Sequence, residues 1–303
     1  MTRANVTAGQ FVELENGARL HYASSGTKGA PMLLFVHGFP QAWFEWEAQL
    51  EAFGRDYFAV APDLRGFNLS SKPKEVEAYR AVNIVDDLTR LTRLLGYERA
   101  IVVAHDWGGA VAWNLAIFKP DLVERLVIIN APHPYLFMRA LLEDKEQQRA
   151  SEYMNWLRSE GSEVALARDH FRPLEKFLAD ENGTLPAWYD PKTRARYHAM
   201  WSTPGDGGSH SLTGAVNFYR ASPLYPGAKS PAPALLDASA WQVKVPTRVI
   251  WGDNDRALRP GLLSGLPGVV PDLRITRVPG ASHWIVQEDA ARINRLIADA
   301  LVS

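Results

Sequence analysis

An aspartate stands where a short reactive frame would ordinarily place a hydroxyl. The frame is Ala104-His105-Asp106-Trp107-Gly108, which follows the apolar run Ile101–Val103 and opens into helix-forming residues. In the pattern small-x-Ser-x-small, the small flanking residues permit a tight, strained strand-to-helix turn that lifts the central side chain clear of the backbone. Ala104 and Gly108 supply the small residues, but the centre is a carboxylate. Taken alone, Asp106 reads more simply as a helix N-cap. The positive end of the helix favours a charged carboxylate in either role.

Three distant stretches change that balance. His37-Gly38-Phe39-Pro40 follows the apolar run Met32–Val36, and a glycine turn there can aim a backbone N–H at the same region. Together with the N–H of Trp107 it would form an oxyanion hole, which leaves His37 a structural part. Trp251-Gly252-Asp253-Asn254-Asp255 follows a late apolar run and offers an acid to orient a base. Pro279-Gly280-Ala281-Ser282-His283-Trp284 places a histidine in a loop after the last strand-like segment. Each piece alone reads as an ordinary polar loop. Their order, nucleophile then acid then histidine, is the chain order of an α/β-hydrolase triad.

The elements that must carry these groups are legible from periodicity. Asn16-Gly17 between Phe11–Leu14 and Leu20–Tyr22 signals a hairpin. The continuously apolar runs Met32–Val36, Phe58–Ala61, Ile101–Val103 and Leu126–Ile129 read as strands, the first as one buried on both faces; Thr247–Trp251 and Leu273–Val278 read as further strands. Val85, Leu88, Leu91 and Leu95 share one helical face that Gly96 would stop, Gly108–Phe118 suits another helix, and Ala290–Leu301 a closing one. Strands alternating with helices predict an α/β fold with a mostly parallel eight-stranded sheet flanked by helices. From Ala131 to about Trp241 no clear strand occurs and helical patterns rich in aromatics take over. A structureless loop of that length is implausible. The expectation is therefore a core of residues 1–131 and 242–303 with a helical cap, 132–241, inserted after strand 6.

Composition removes other classes of function. Thirty-three basic residues face 34 acidic ones in a chain of 303, so no charge excess favours nucleic acid or an anionic membrane. No apolar run is long enough to span a bilayer, and no secretory signal is visible at the start. There are no cysteines, which excludes disulfides and thiolate chemistry and fits a cytoplasmic setting. HExxH, a Walker loop and GxGxxG are all missing, so no metal and no cofactor is expected.

The motifs HGFPQAWFEW (37–46), DLRGFNLSSKP (63–73), AHDWGG (104–109), WGDND (251–255) and GASHW (280–284) together span the core. In this combination the chain resembles the epoxide hydrolase and haloalkane dehalogenase branch of the α/β-hydrolases, closest to soluble epoxide hydrolase-like proteins. The resemblance implies Asp106 as a nucleophile that forms an alkyl ester at a saturated carbon. Serine would give an ether, which water activated by a histidine does not cleave. It also implies His283 as the base that activates water, Asp255 as the acid orienting His283, with Asp253 as competitor, and the N–H groups of Phe39 and Trp107 as the oxyanion donors.

Epoxide hydrolases place two cap tyrosines against the leaving oxygen. Asn217-Phe218-Tyr219-Arg220 resembles the motif that carries one of them, Tyr219. In the second motif, Glu152-Tyr153-Met154-Asn155-Trp156-Leu157, Trp156 falls where the family has tyrosine, with Tyr153 one helical turn earlier. The alternative is a hydrolytic dehalogenase with the same nucleophile, in which Trp107 and Trp156 would hold halide. Phe39 stands where some haloalkane dehalogenases carry an asparagine, and Trp107 and Val111 stand where fluoroacetate dehalogenases carry arginines. A noncatalytic ligand receptor and an ordinary esterase are further alternatives. The expected partners are a small apolar substrate and water, with the chain a monomer or homodimer.

Overall fold

The computed structural model describes residues 4–229 and 237–302; residues 230–236 of the expected insertion and the chain ends lie outside them. Eight strands form one sheet: β1 (Val6–Glu13), β2 (Arg19–Ser25), β3 (Met32–Val36), β4 (Phe58–Pro62), β5 (Ala100–His105), β6 (Val123–Ile129), β7 (Thr247–Gly252) and β8 (Leu273–Val278), in the order β1-β2-β4-β3-β5-β6-β7-β8. β1 and β2 pair antiparallel through the Asn16-Gly17 turn, β2 pairs antiparallel with β4, and all other pairings are parallel.

The central strands are apolar along their whole length because helices cover both faces. In β3, Met32, Leu34 and Val36 enter one apolar layer while Leu33 and Phe35 enter the other. Helices α1 (Glu47–Phe53), α2 (Ala81–Leu94) and α3 (Asp106–Phe118) follow β3, β4 and β5. α2 and α3 cover the first layer with Ile84, Leu88, Val111 and Leu115. α1 covers the second with Leu50 and Phe53. Gly96, at φ 94°, takes the left-handed conformation that closes α2.

Between β6 and β7 no strand of the sheet occurs among the described residues. Instead come α4 (Pro134–Glu143), α5 (Lys145–Ala150), α6 (Tyr153–Arg158), α7 (Ser162–Glu175), α8 (Pro191–Trp201) and α9 (Ser211–Ala221). α7 is broken by non-helical residues Arg168–Phe171, a break that no glycine in the sequence announces. These helices pack onto the first apolar layer through Phe137, Leu157, Trp201 and Tyr219. After β8, α10 (Ile285–Glu288) and α11 (Ala290–Val302) return to the second layer, where Ile293 and Ile297 are buried. No helix among the described residues is long and apolar enough to cross a membrane.

Candidate active site

The carboxyl ends of β3, β5, β7 and β8 converge under the inserted helices, where parallel sheets usually place reactive groups. Asp106 directly follows β5 and sits at φ 51°, a left-handed conformation that costs a non-glycine residue energy. That turn delivers its carboxylate to the loop after β3. Phe39 N–H donates to Asp106 Oδ1 at 2.7 Å. Gly38 is required by this approach, since a Cβ there would overlap the carboxylate. Gly108 is required in the same way, because a Cβ would run into the carbonyl of Val36 and push α3 off β3. The Trp107 backbone N–H also supports the Asp106 carboxylate. Both expected oxyanion donors therefore already hold the Asp106 carboxylate, and Oδ2 faces His283.

His283 lies in the loop between β8 and α10. Its Nε2 is 3.5 Å from Asp106 Oδ2, and its Nδ1 is 2.7 Å from Asp255 Oδ2. Asp255, not Asp253, meets the histidine; Asp253 pairs with Arg277 at 2.8 Å. Asp255 Oδ1 accepts from the backbone N–H groups of Ala257 and Leu258, at 2.9 and 2.8 Å. Asn130, the residue after β6, donates to Asp255 Oδ2 at 2.8 Å and accepts from Gly252 N–H at 2.8 Å. The His283 loop is tied down by Glu288, whose carboxylate accepts from Ser282 N–H and Oγ.

Burial opposes the charge on Asp106, but the hydrogen bond and charge of His283 outweigh it and hold the carboxyl below its usual range. Burial likewise opposes an imidazolium at His283. The charge of Asp255, with the contacts to Asp106, overcomes this and raises its pKa well above the ordinary histidine value.

Two tyrosines face this pair from the insertion. Tyr219, on α9, sets its ring edge-on against Phe39 (5.2 Å) and Trp107 (5.0 Å). Tyr153, the first residue of α6, lies 6.1 Å from the Tyr219 ring. Burial, reinforced by the Asp106 carboxylate, pushes both phenols far above their usual pKa, so both are O–H donors at neutral pH. Trp156 does not join them. It is 43% exposed on the outside of α6, and Tyr153 is the α6 side chain that meets Tyr219. Arg158, at the far end of α6, donates to the carbonyls of Tyr219, Arg220 and Ser222 at the end of α9. This tie between the two tyrosine helices, and the role of Asn130, escaped the sequence reading. Asn130 had one visible signal: like Asp106, it stands directly after an apolar strand.

Two cavities meet at Asp106, Tyr153 and Tyr219. One, of about 360 Å³, is walled mainly by apolar groups that include Trp107, Val111, Phe137, Met138, Leu141 and Phe218. The other, of about 1020 Å³, is lined by His283 and by polar groups that include Lys176, Asp180, Arg256 and Glu288. Among the described residues no cluster of three or more histidines, aspartates or glutamates could hold a metal ion.

Residues 31–290 match the family model of the alpha/beta hydrolase fold. The chain is 35% identical over 294 residues to the AB hydrolase superfamily protein YfhM of Bacillus subtilis (strain 168), covering 96% of this chain and 97% of that protein. It is 33% identical over 289 residues to Epoxide hydrolase 3 of Xenopus tropicalis, covering 95% of this chain and 76% of the relative. The crystal structure of Bacillus megaterium epoxide hydrolase in complex with an inhibitor superposes with a TM-score of 0.85 at 31% identity, over 97% of this chain and all of that one. An acid at the turn after β5, a histidine after β8 and this degree of likeness lead to one assignment: the chain is a hydrolase of the alpha/beta hydrolase superfamily and belongs to its epoxide hydrolase branch.

Proposed function

We propose that this chain hydrolyses an epoxide to a diol through a covalent ester on Asp106, with residues 132–241 acting as a cap. The observation that carries the reading is the pair of buried tyrosines, Tyr153 and Tyr219, facing the nucleophile. A ring oxygen leaving as alkoxide needs strong donors and a proton, and neutral phenols supply both. In the first step Asp106 Oδ2 attacks a ring carbon, the carbon–oxygen bond breaks, and the alkoxide is caught by the tyrosine hydroxyls. The apolar substituent rests in the apolar cavity.

In the second step a water on the His283 side loses a proton to Nε2 and attacks Cγ of the ester. Negative charge develops on Oδ1, which already accepts from Phe39 N–H, with the Trp107 N–H also set against the carboxyl group. Collapse breaks the Cγ–Oδ2 bond, so the diol departs with Oδ2 and the regenerated carboxylate keeps the water oxygen. The order of events has an electrostatic logic. Forming the ester removes the negative charge of Asp106, one of the contacts that raise the His283 pKa. The imidazole thus becomes a readier base once the ester exists.

A halide-releasing reading has less support, because Trp156 points away from the site and leaves the Trp107 indole without a second N–H partner from the cap. The test is His283→Gln mixed with styrene oxide. Loss of the base should slow ester hydrolysis by roughly 10²–10⁴ while sparing alkylation, so that protein heavier by the whole substrate accumulates on the peptide containing Asp106. An adduct on another peptide, or none, overturns the covalent mechanism. Bromoalkane adducts that form faster than epoxide ones would move the reading to dehalogenation.

A further inference from the structure

Beneath the triad lies a second buried histidine–carboxyl pair that the mechanism above does not use. His105, the last residue of β5, has a fully buried side chain, as does Glu45 in the short 3-10 turn Trp43–Trp46. His105 Nδ1 lies 2.7 Å from Glu45 Oε1, without the in-line geometry of a hydrogen bond. On the other side of the ring, His105 Nε2 is 2.9 Å from the backbone carbonyl of His283. The two imidazoles are 4.7 Å apart, inclined at 43°. A carbonyl only accepts, so Nε2 carries a proton.

The pair continues outward. With its amide nitrogen turned toward Glu45, Gln41 reaches the two carboxylate oxygens at 3.2 and 3.3 Å, and its oxygen accepts from Tyr197 Oη at 3.2 Å and from Gln287. Tyr197 belongs to α8 of the insertion, and Trp201 on the same helix donates to the Pro40 carbonyl at 2.7 Å. A chain of polar contacts therefore runs from the insertion, under the active site, to the residue that carries the base.

We infer that Glu45 and His105 are positioning residues for His283, holding through its carbonyl the loop from which the catalytic imidazole hangs. Apolar side chains of equal volume would fill the same space without the cost of burying charge. What they would lack is a directed donor to the His283 carbonyl. That carbonyl lies in a loop outside the sheet ladder, where a side-chain donor must do what regular structure does elsewhere. The demand on the imidazole differs between the two steps. Alkylation relies on a carboxylate held by Phe39 N–H and on the tyrosines. Ester hydrolysis needs Nε2 aligned with a water and Cγ, and errors near 1 Å there cost up to about 10²-fold. The pair should therefore matter mainly for the second step.

This inference rests on the proposed ester mechanism, and single-turnover measurements with styrene oxide separate the two. In His105→Leu, ester formation should stay within about threefold of wild type while ester hydrolysis slows roughly tenfold or more, so that adduct accumulates. His105→Gln keeps an N–H able to reach the carbonyl and should recover most of the hydrolysis rate. If His105→Leu fails to fold, Glu45→Gln, nearly isosteric, carries the same measurement with the same expected imbalance. Equal slowing of both steps, or identical hydrolysis in the leucine and glutamine variants, overturns the inference while His283→Gln still traps its ester. No ester in His283→Gln overturns the mechanism and this inference with it.

Discussion

At the scale of single residues, the site was readable wherever a polar group interrupts an apolar strand at its end. Asp106, Asp255 and His283 each stand at or just beyond the carboxyl end of a strand, and in space His283 lies 3.5 Å from Asp106 and 2.7 Å from Asp255. Trp156 shows where such marks stop. Tyr153 and Trp156 are three residues apart, about 60° apart around a helix, and no pattern in six residues decides which of them turns inward. Packing decides it, because Phe177 and Tyr219 receive the Tyr153 ring. Glu45 and His105 were illegible for a different reason: they are sixty positions apart and share no periodicity. The inward tyrosines yield a direct expectation. Tyr153→Phe and Tyr219→Phe should each slow formation of the Asp106 ester on the order of 10²-fold, as loss of a general acid does, whereas Trp156→Phe should leave it nearly unchanged. Stopped-flow Trp fluorescence in single turnover reads that step.

At the scale of elements, the central strands followed from apolar runs because parallel strands covered on both faces leave little choice of residue, whereas their order in the sheet did not. β8 begins and ends as its sequence predicts, and α11 is longer by one residue. The inserted helices were legible as helical but not in their mutual placement. That placement depends on contacts such as Arg158, whose guanidinium satisfies carbonyls at the end of α9 and stacks 3.7 Å from the Tyr225 ring. Arg158 shares α6 with Tyr153 and its carbonyl partners include that of Tyr219 on α9, so it ties together the two helices that carry the phenols. Arg158→Met should therefore slow ester formation by about tenfold, the cost of a small misplacement, with ester hydrolysis little affected. A rapid-quench comparison of the two rates checks it, and equal loss in both would assign Arg158 to stability alone.

At the scale of the whole molecule, the triad links folding to pH. The folded pKa of His283 lies well above 6.5 and that of Asp106 below 3.8. A raised histidine binds its proton more tightly in the folded state, so its contribution to stability is complete below about pH 6.5 and is lost as pH rises through the folded value. The lowered aspartate contributes above 3.8 and loses that contribution as pH falls through its own folded value. The stability advantage of wild type over His283→Gln, taken from urea unfolding curves, should accordingly shrink from near-neutral to alkaline pH. A constant difference would show that the imidazole is not held charged.

The two cavities that meet at Asp106 also make the molecule separable as an object of design. One cavity is walled by residues of α3, α4 and α9, the other by the segment after α7 and the loops following β7 and β8; on the proposed mechanism the first would set substituent size and the second would supply water. Changes to Phe137, Met138 or Leu141 should alter which epoxides are turned over while leaving the rate of hydrolysis of the proposed Asp106 ester nearly unchanged. Selection for new substrates can then proceed along one wall while the chemistry on the other stays fixed.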